Sequence, residues 1–357
     1  MQKILIISNV FPLEKNTSRG CYILAQAKLL KSAGYDVKIV NPLPFIPPFY
    51  SNLNKNFQGF KNIKKNRTVE NITIFHPRYF CFPGTLFPKK NQTFAKGVLP
   101  KIYHWLGDWK PDIVHLHSIH PLLQIGNNIS KKFNSRFYIT VHGWDFDVGI
   151  KKNGIAYSIQ KISPNITGIC VVNETHLSIA KRFVGNEKTY YIPCHIDIRD
   201  EDKREINDFD STNKKINLLF PANPSRPEKN YPLFLMTIKK LEERGWKIKK
   251  DNLGNLSRKN TLQKFHWADL ILLTSKREGG PLVTKEAIYC GARVVSTSVG
   301  DSSKWLPSNS VCTDFTSNTL ANNIENALKN KPETWNVPSQ FESENVLKKL
   351  IDLYQIN

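Results

Sequence analysis

Two carboxylates eight positions apart, Glu278 and Glu286, frame the stretch of this 357-residue chain richest in chemical content. Between them lie Gly279 and Gly280, then Pro281, Leu282 and Val283. The glycine pair gives a tight loop, proline suits the first position of a helix, and Gly291 suits the end of a helix begun there. A helix start leaves backbone N–H groups without partners, so those of Leu282 and Val283 point at any phosphate that arrives. With one acid ahead of the helix and the other a turn into it, one carboxylate can meet a sugar ring while the other grips a ribose diol. Other titratable residues offer less. His104, His115, His117 and His120 are scattered; His115 and His117 share one face of an expected strand, but no acidic or thiolate partner completes a metal set. They read as core or strand-end histidines. Cys21, Cys81, Cys170, Cys194, Cys290 and Cys312 lie far apart without a zinc spacing and read as structural thiols.

A loop of this kind needs a strand before it and a strand after it, and the chain supplies both, Ala268–Ser275 and Ala292–Ser298. The same alternation runs from the N-terminus. Lys3–Asn9, Asp36–Asn41, Asp112–Ser118, Arg136–Gly143, Ile166–Asn173 and Thr189–Ile196 are nearly continuous in Val and Ile, as strands buried on both faces require. A helix carrying Ile23, Ala27 and Leu30 separates the first two and ends near Gly34. Further strands are expected at Ile216–Asn223 and near Ser310–Phe315, with helices about 230–244, 281–290, 316–329 and 340–355. The pattern is α/β, with parallel sheets wound on both faces. Length favours two domains, and 40% hydrophobic with 23% charged residues permits packed cores. The expected division is a first Rossmann-like domain at 1–196, a polar linker at 197–215, a second domain at 216–335, and a C-terminal helix at 336–357 that can pack back on the first. Two such domains facing each other make a cleft, with ligands at the carboxyl ends of the strands.

The segment 268–301 resembles the Glu-x7-Glu signature of the retaining glycosyltransferases of family four, which have the GT-B fold. The likeness includes the preceding strand, the Glu-Gly-x-Pro loop, the Glu-Ala after seven intervening residues, the Cys-Gly-x-x-Val-Val strand and the Val-Gly turn. Three other stretches are similar to the same family. The opening MQKILIISNVFP with Ser18-Arg19-Gly20 resembles its first strand and glycine loop. Val141-His142-Gly143-Trp144-Asp145 resembles its His-Gly-x-Asp turn. Phe220–Asn230 resembles the start of its second domain.

The resemblance implies roles. Arg226 and Lys229 would bind the donor diphosphate, beside Gly279, Gly280 and the amides of Leu282 and Val283; Glu286 would hold the ribose. Glu278 and His142 would act on the donor sugar, and Arg19, Gly20 and Asp145 would lie on the acceptor side. Two cations in one loop suit a leaving diphosphate without a metal. The expectation is therefore no metal and no cofactor, with a nucleotide-sugar as co-substrate. Asp145-Phe146-Asp147 and Asp208-Phe209-Asp210 contain the Asp-x-Asp of metal-dependent transferases, but one overlaps the His-Gly-x-Asp turn and the other falls in the linker. The sequence also departs from the family. Pro224 stands at its usual arginine position, Arg226 precedes Lys229 by three residues instead of five, and Cys194-His195 replaces its Asn-Gly hinge. Residues 246–258 form a basic, weakly periodic segment where a strand and a glycine-rich base-binding turn are usual, so the nucleotide base is not legible.

Charge places the protein. The net charge is +21, of which residues 1–200 carry +16, with 27 basic against 11 acidic side chains. Residues 51–110 alone hold 11 basic and 2 acidic side chains, among them Lys61, Lys64, Lys65 and Arg67. Beside them run the aromatic, proline-rich stretches 42–50 and 79–87. Cations with aromatics suit an anionic membrane surface and a glycan or lipid-diphosphate-linked acceptor. No apolar run reaches the roughly eighteen residues needed to cross a bilayer, and the stretch MQKILIISNV is too short in apolar residues and has no small-residue cleavage site, so a cleavable leader is not expected. The expected location is cytoplasmic, peripheral on the inner face of the membrane. The reading is a retaining hexosyltransferase that extends a lipid-linked bacterial surface polysaccharide or glycolipid. Its rival is a non-catalytic GT-B-like subunit of a polysaccharide assembly complex. A nucleic-acid partner is not expected, because the basic composition comes with no binding signature.

Overall fold

The computed structural model describes residues 1–14, 17–45, 63–80, 93–152, 154–254 and 256–355. Most of the two aromatic, proline-rich stretches, together with Lys61 and Cys81, lies outside the described residues. The chain divides into two compact units, Met1–Pro193 with Leu347–Asn357, and Cys194–Val346. Residues 197–215, read from sequence as a linker, fall within the second unit, where Ile206 is buried and Ile198 and Phe209 lie against its core.

In the first unit the strands are β1 (Lys3–Ser8), β2 (Asp36–Val40), β3 (Leu43–Pro44), β4 (Asn66–Val69), β5 (Ile72–Phe75), β6 (Arg78–Tyr79), β7 (Ile113–His117), β8 (Arg136–Val141), β9 (Gly168–Val171) and β10 (Thr189–Tyr191). Eight of them form one sheet in the order β10-β9-β8-β7-β1-β2-β5-β4. Neighbours are parallel except β4, which returns antiparallel to β5 at the edge. The continuous apolar strands are the central ones: Ile4, Leu5, Ile6 and Ile7 are fully buried, as are Ile113, Val114 and Leu116. The β4–β5 hairpin has no counterpart among the sequence expectations. Its strands are four residues each, β4 half-exposed and β5 buried except at Thr73, and they turn at Glu70 and Asn71, both at positive φ. The closing turns of the helix Ser343–Gln355 belong to this unit. Leu350, Leu353 and Tyr354 are buried, and the Tyr138 hydroxyl donates to the carbonyl of Leu353 at 2.9 Å.

The second unit holds β11 (Lys215–Phe220), β12 (Lys247–Asn252), β13 (Leu270–Leu273), β14 (Arg293–Thr297) and β15 (Val311–Cys312), all parallel, in the order β12-β11-β13-β14-β15. Here β12 corrects the reading of residues 246–258. The segment is a strand at the sheet edge with exposed lysines, so burial imposes no apolar run on it. Helices appear at Tyr231–Glu243, Leu282–Tyr289 and Ser317–Lys329, close to expectation, with Pro281 capping its helix instead of opening it. Because β11 and β13 are adjacent and parallel, the loops leaving their carboxyl ends, 221–230 and 274–281, are neighbours.

Candidate active site

The two loops are locked together by backbone and side-chain bonds. Thr274, at the end of β13, donates its hydroxyl to the carbonyls of Lys229 and Asn230, each at 3.0 Å, and the Lys276 amide donates to the carbonyl of Glu228 at 2.9 Å. This arrangement brings the Lys229 ammonium onto Oε1 of Glu278 in an ion pair. Both side chains are largely buried, and Ser275 donates to the same oxygen at 2.6 Å. Glu278 is thus oriented from two sides. Arg226 stands apart from this pair. Its side chain is 55% exposed and bonded to Glu228, with Nε 2.8 Å from Oε1.

The loop Glu278–Pro281 rests on the turn that follows the adjacent strand, β14. Gly300, at φ 60°, lies so close beneath it that an added Cβ would sit 3.0 Å from the carbonyl oxygen of Gly279 and 3.0 Å from Cδ of Pro281. Gly279 and Gly280 are half-buried here, and Leu282 and Val283 lie partly buried against the core as the first residues of their helix. One residue on from Gly300, Asp301 pairs with Lys285 at 2.7 Å, both almost fully buried. The Lys285 ammonium lies over the ring of Phe341, 4.2 Å from its centroid, and burial lowers its pKa. Glu286 faces another partner, Arg258, whose Nη1 is 3.0 Å from Oε1. Burial raises the pKa of Glu286, and Arg258 opposes that shift.

In the first unit the glycine loop places Gly20 at φ 64°, with a hypothetical Cβ 2.7 Å from the carbonyl oxygen of Val10, a position only glycine fills. Arg19 turns inward, donating to the carbonyls of Asn9 and Phe11, the latter at 3.3 Å; burial lowers its pKa to about 10. The His-Gly-x-Asp turn follows β8. Asp145 is buried and accepts from the backbone amides of Ile119 at 2.8 Å and His142 at 3.1 Å, bracing the loops after β7 and β8. Burial outweighs these bonds and raises its pKa to about 6. Asp147 is bonded to His176 at 2.8 Å, and Asp210 accepts from the Thr212 amide at 2.9 Å, so each Asp-x-Asp triplet has structural partners. Among the described residues no group of three or more His, Cys, Asp or Glu side chains is placed to hold a metal ion.

His142 itself is half-buried, its ring 4.6 Å from that of Tyr22 and its Nε2 3.0 Å from Nδ1 of His117. His117 stacks on His142 and on His115, with centroids 5.3 and 4.8 Å apart. His115 is bonded to the Tyr354 hydroxyl at 2.5 Å and to Thr140 at 2.7 Å. The histidines on one face of β7 are therefore core residues, and they continue as a column to the edge where His142 lies. Burial lowers the pKa of His142 and His115 to about 3, so both rings are neutral at physiological pH.

Sequence reasoning passed over Arg258, Ser275, Lys285, Asp301 and Tyr354. A lysine one residue before Glu286 looks like a solvated helix position; only the fold shows that its face is buried. Asp301 had a signal, since it follows the Val-Gly turn directly.

The chain matches the model of Glycosyltransferase Family 4 over residues 21–200. It is 24% identical over 323 residues to TuaC of Bacillus subtilis, whose name assigns it to teichuronic acid biosynthesis as a glycosyltransferase; the match covers 84% of this chain and 81% of that one. Among solved structures, the catalytic domain of starch synthase IV from Arabidopsis thaliana, bound to ADP and acarbose, matches with a TM-score of 0.69 at 12% identity, covering 99% of this chain and 98% of that one. HepE of Anabaena, in complex with UDP and glucose, matches with a TM-score of 0.67 at 14% identity over the whole of both chains. These likenesses show the fold, GT-B, as read from the sequence.

Proposed function

The chain belongs to Glycosyltransferase Family 4 and is a sugar-transferring enzyme, and from that premise we propose that it moves a hexosyl group, with retention, from a nucleotide-sugar to a hydroxyl of a growing, lipid-linked surface polysaccharide. The observation that carries the reading is the pair of oriented carboxylates, Glu278 on Lys229 and Glu286 on Arg258, flanking one helix start in the second unit. In this reading the second unit takes the donor. The amides of Leu282 and Val283 and the ammonium of Lys229 meet the diphosphate, and Arg226 exchanges Glu228 for phosphate. Their charge stabilises the leaving group as it departs, in fixed positions that need no reorganisation. Glu286 holds the ribose and Glu278 the transferred sugar.

The first unit takes the acceptor, with Gly20 allowing close backbone approach and Asp145 holding the turn that presents His142. A neutral His142 can donate or accept one hydrogen bond at a sugar hydroxyl without carrying charge. Among the described residues no side chain stands as a general base, so the departing phosphate takes the acceptor proton. Likeness to TuaC supports a polysaccharide acceptor, and the basic excess of residues 1–200 supports work at an anionic membrane surface. Among the described residues no helix is long and apolar enough to cross a membrane. The test is hydrolysis of a panel of nucleotide-sugars by the purified protein. Slow hydrolysis of at least one donor is the expected result. A silent panel with no nucleotide binding contradicts the proposal.

A further inference from the structure

The carboxylate of Glu286 is held by a residue that the Glu-x7-Glu motif does not contain. Arg258 opens the helix Arg258–Trp267, whose start is fixed by Ser257, its side-chain oxygen accepting from the Asn260 amide at 3.2 Å. From that position one guanidinium nitrogen reaches Oε1 of Glu286 at 3.0 Å and the other donates to the carbonyl of Asp197 at 2.6 Å. Three segments distant in sequence meet at one carboxylate. The guanidinium holds the carboxylate through Oε1. We propose that Arg258 is a positioning residue for nucleotide recognition, fixing one oxygen of Glu286 so that the other is presented to the ribose diol of a nucleoside diphosphate. The inference rests on the ribose role proposed above for Glu286.

Charge makes the arrangement necessary. A carboxylate grips two hydroxyls well only while ionised, and burial shifts Glu286 towards the protonated form. The charged or titratable groups facing it are Arg258, Asp197 and the thiol of Cys290. Asp197 pushes Glu286 further towards protonation, and Arg258 is the group that pulls it back. Remove the guanidinium, and Glu286 becomes neutral at a higher pH, so nucleotide affinity falls as the solution is acidified.

The test is calorimetric titration of UDP, ADP and GDP, and of the 2′-deoxy form of the tightest, into wild type, Arg258→Met, Arg258→Lys, Glu286→Gln and the Arg258→Met/Glu286→Gln double variant. Arg258→Met is expected to weaken the best ligand at least about threefold more near pH 5 than near pH 8, since removing a neighbouring cation raises a carboxyl's pKa by at least about one pH unit. Arg258→Lys restores most of the loss, the double variant binds no more weakly than Glu286→Gln alone, and the 2′-deoxy ligand loses less on substitution than its parent. Equal loss at both pH values, adding to that of Glu286→Gln, means that Arg258 merely supports the fold and overturns the inference while leaving the ribose reading intact. Wild-type affinity in Glu286→Gln, or no binding by the wild type, overturns the ribose reading and the inference with it.

Discussion

Glu278 and Glu286 sit eight residues apart, yet each is tied to a different cation, and that difference separates their proposed tasks. If Lys229, Arg226 and a helix start carry the charge of the diphosphate, donor turnover persists unchanged in EDTA, whereas Lys229→Met lowers it by about two orders of magnitude, the usual cost of losing one oriented charge. Loss in EDTA restored by manganese contradicts this and returns attention to Asp145 and Asp147. The histidine column makes a second prediction, for stability. His115 is lowered from 6.5 to about 3, so the folded state resists the proton that the unfolded chain takes up. That contribution is complete above about pH 6.5 and is lost on acidification, by roughly 2 kcal/mol for His115 between pH 7 and pH 5. His117 and His142 shift the same way. Asp145, raised to about 6, works in the opposite direction, gaining about 1 kcal/mol over the same range. The histidines win, and amide-exchange protection in β7, corrected for intrinsic rate, should drop at least about tenfold from pH 7 to pH 5. Constant protection would show that the column is not closed to protons.

Elements explain why the loops hold their shape, and here one glycine is decisive. Gly300→Ala places a methyl group 3.0 Å from Gly279 O and strains a backbone already at φ 60°, so the Glu278–Pro281 loop must lift. Nucleotide affinity is expected to fall by about tenfold or more. Gly34→Ala is the control: its φ of 89° carries the same kind of strain, but nothing lies within 4 Å of the added carbon. That variant should cost about 1 kcal/mol of stability and leave nucleotide affinity alone. Equal affinity in both variants would show that the loop does not depend on its bed. The sequence made the central elements legible because physics writes them plainly. A strand buried on both faces, such as Lys3–Ser8, must be apolar throughout, and a helix start after Glu-Gly-Gly-Pro announces itself. The edge strand β12 and the β4–β5 hairpin were illegible for the converse reason, since exposed lysines and four-residue strands satisfy no apolar template. Glu278, Glu286 and Lys229 were found by motif. Arg258 and Asp301 were not, because their partners are 28 and 16 residues away, and only tertiary contact pairs them.

At the scale of the whole molecule the charge is divided unevenly, +16 in residues 1–200 against +5 in the rest. Several lysines near an anionic surface, at about 1 kcal/mol each, suffice for reversible adsorption that salt weakens over a Debye length of about 8 Å. Lys64 and Lys65 are exposed at the start of β4, whereas Arg67 turns to the Pro12 carbonyl at 3.3 Å and to Glu14. Charge reversal at Lys61, Lys64 and Lys65 is therefore expected to reduce binding to anionic vesicles while leaving donor hydrolysis nearly unchanged. Equal vesicle binding would mean that the basic excess serves the acceptor or solubility. The central claim is that a donor sugar is turned over beside Glu278, and one measurement addresses it most directly: steady-state turnover of the best nucleotide-sugar by wild type and Glu278→Gln, with nucleotide affinity measured on the same samples. The account predicts turnover lower by about two orders of magnitude with affinity changed by less than about threefold, the signature of an interaction made mainly in the transition state. Wild-type turnover in Glu278→Gln would contradict it.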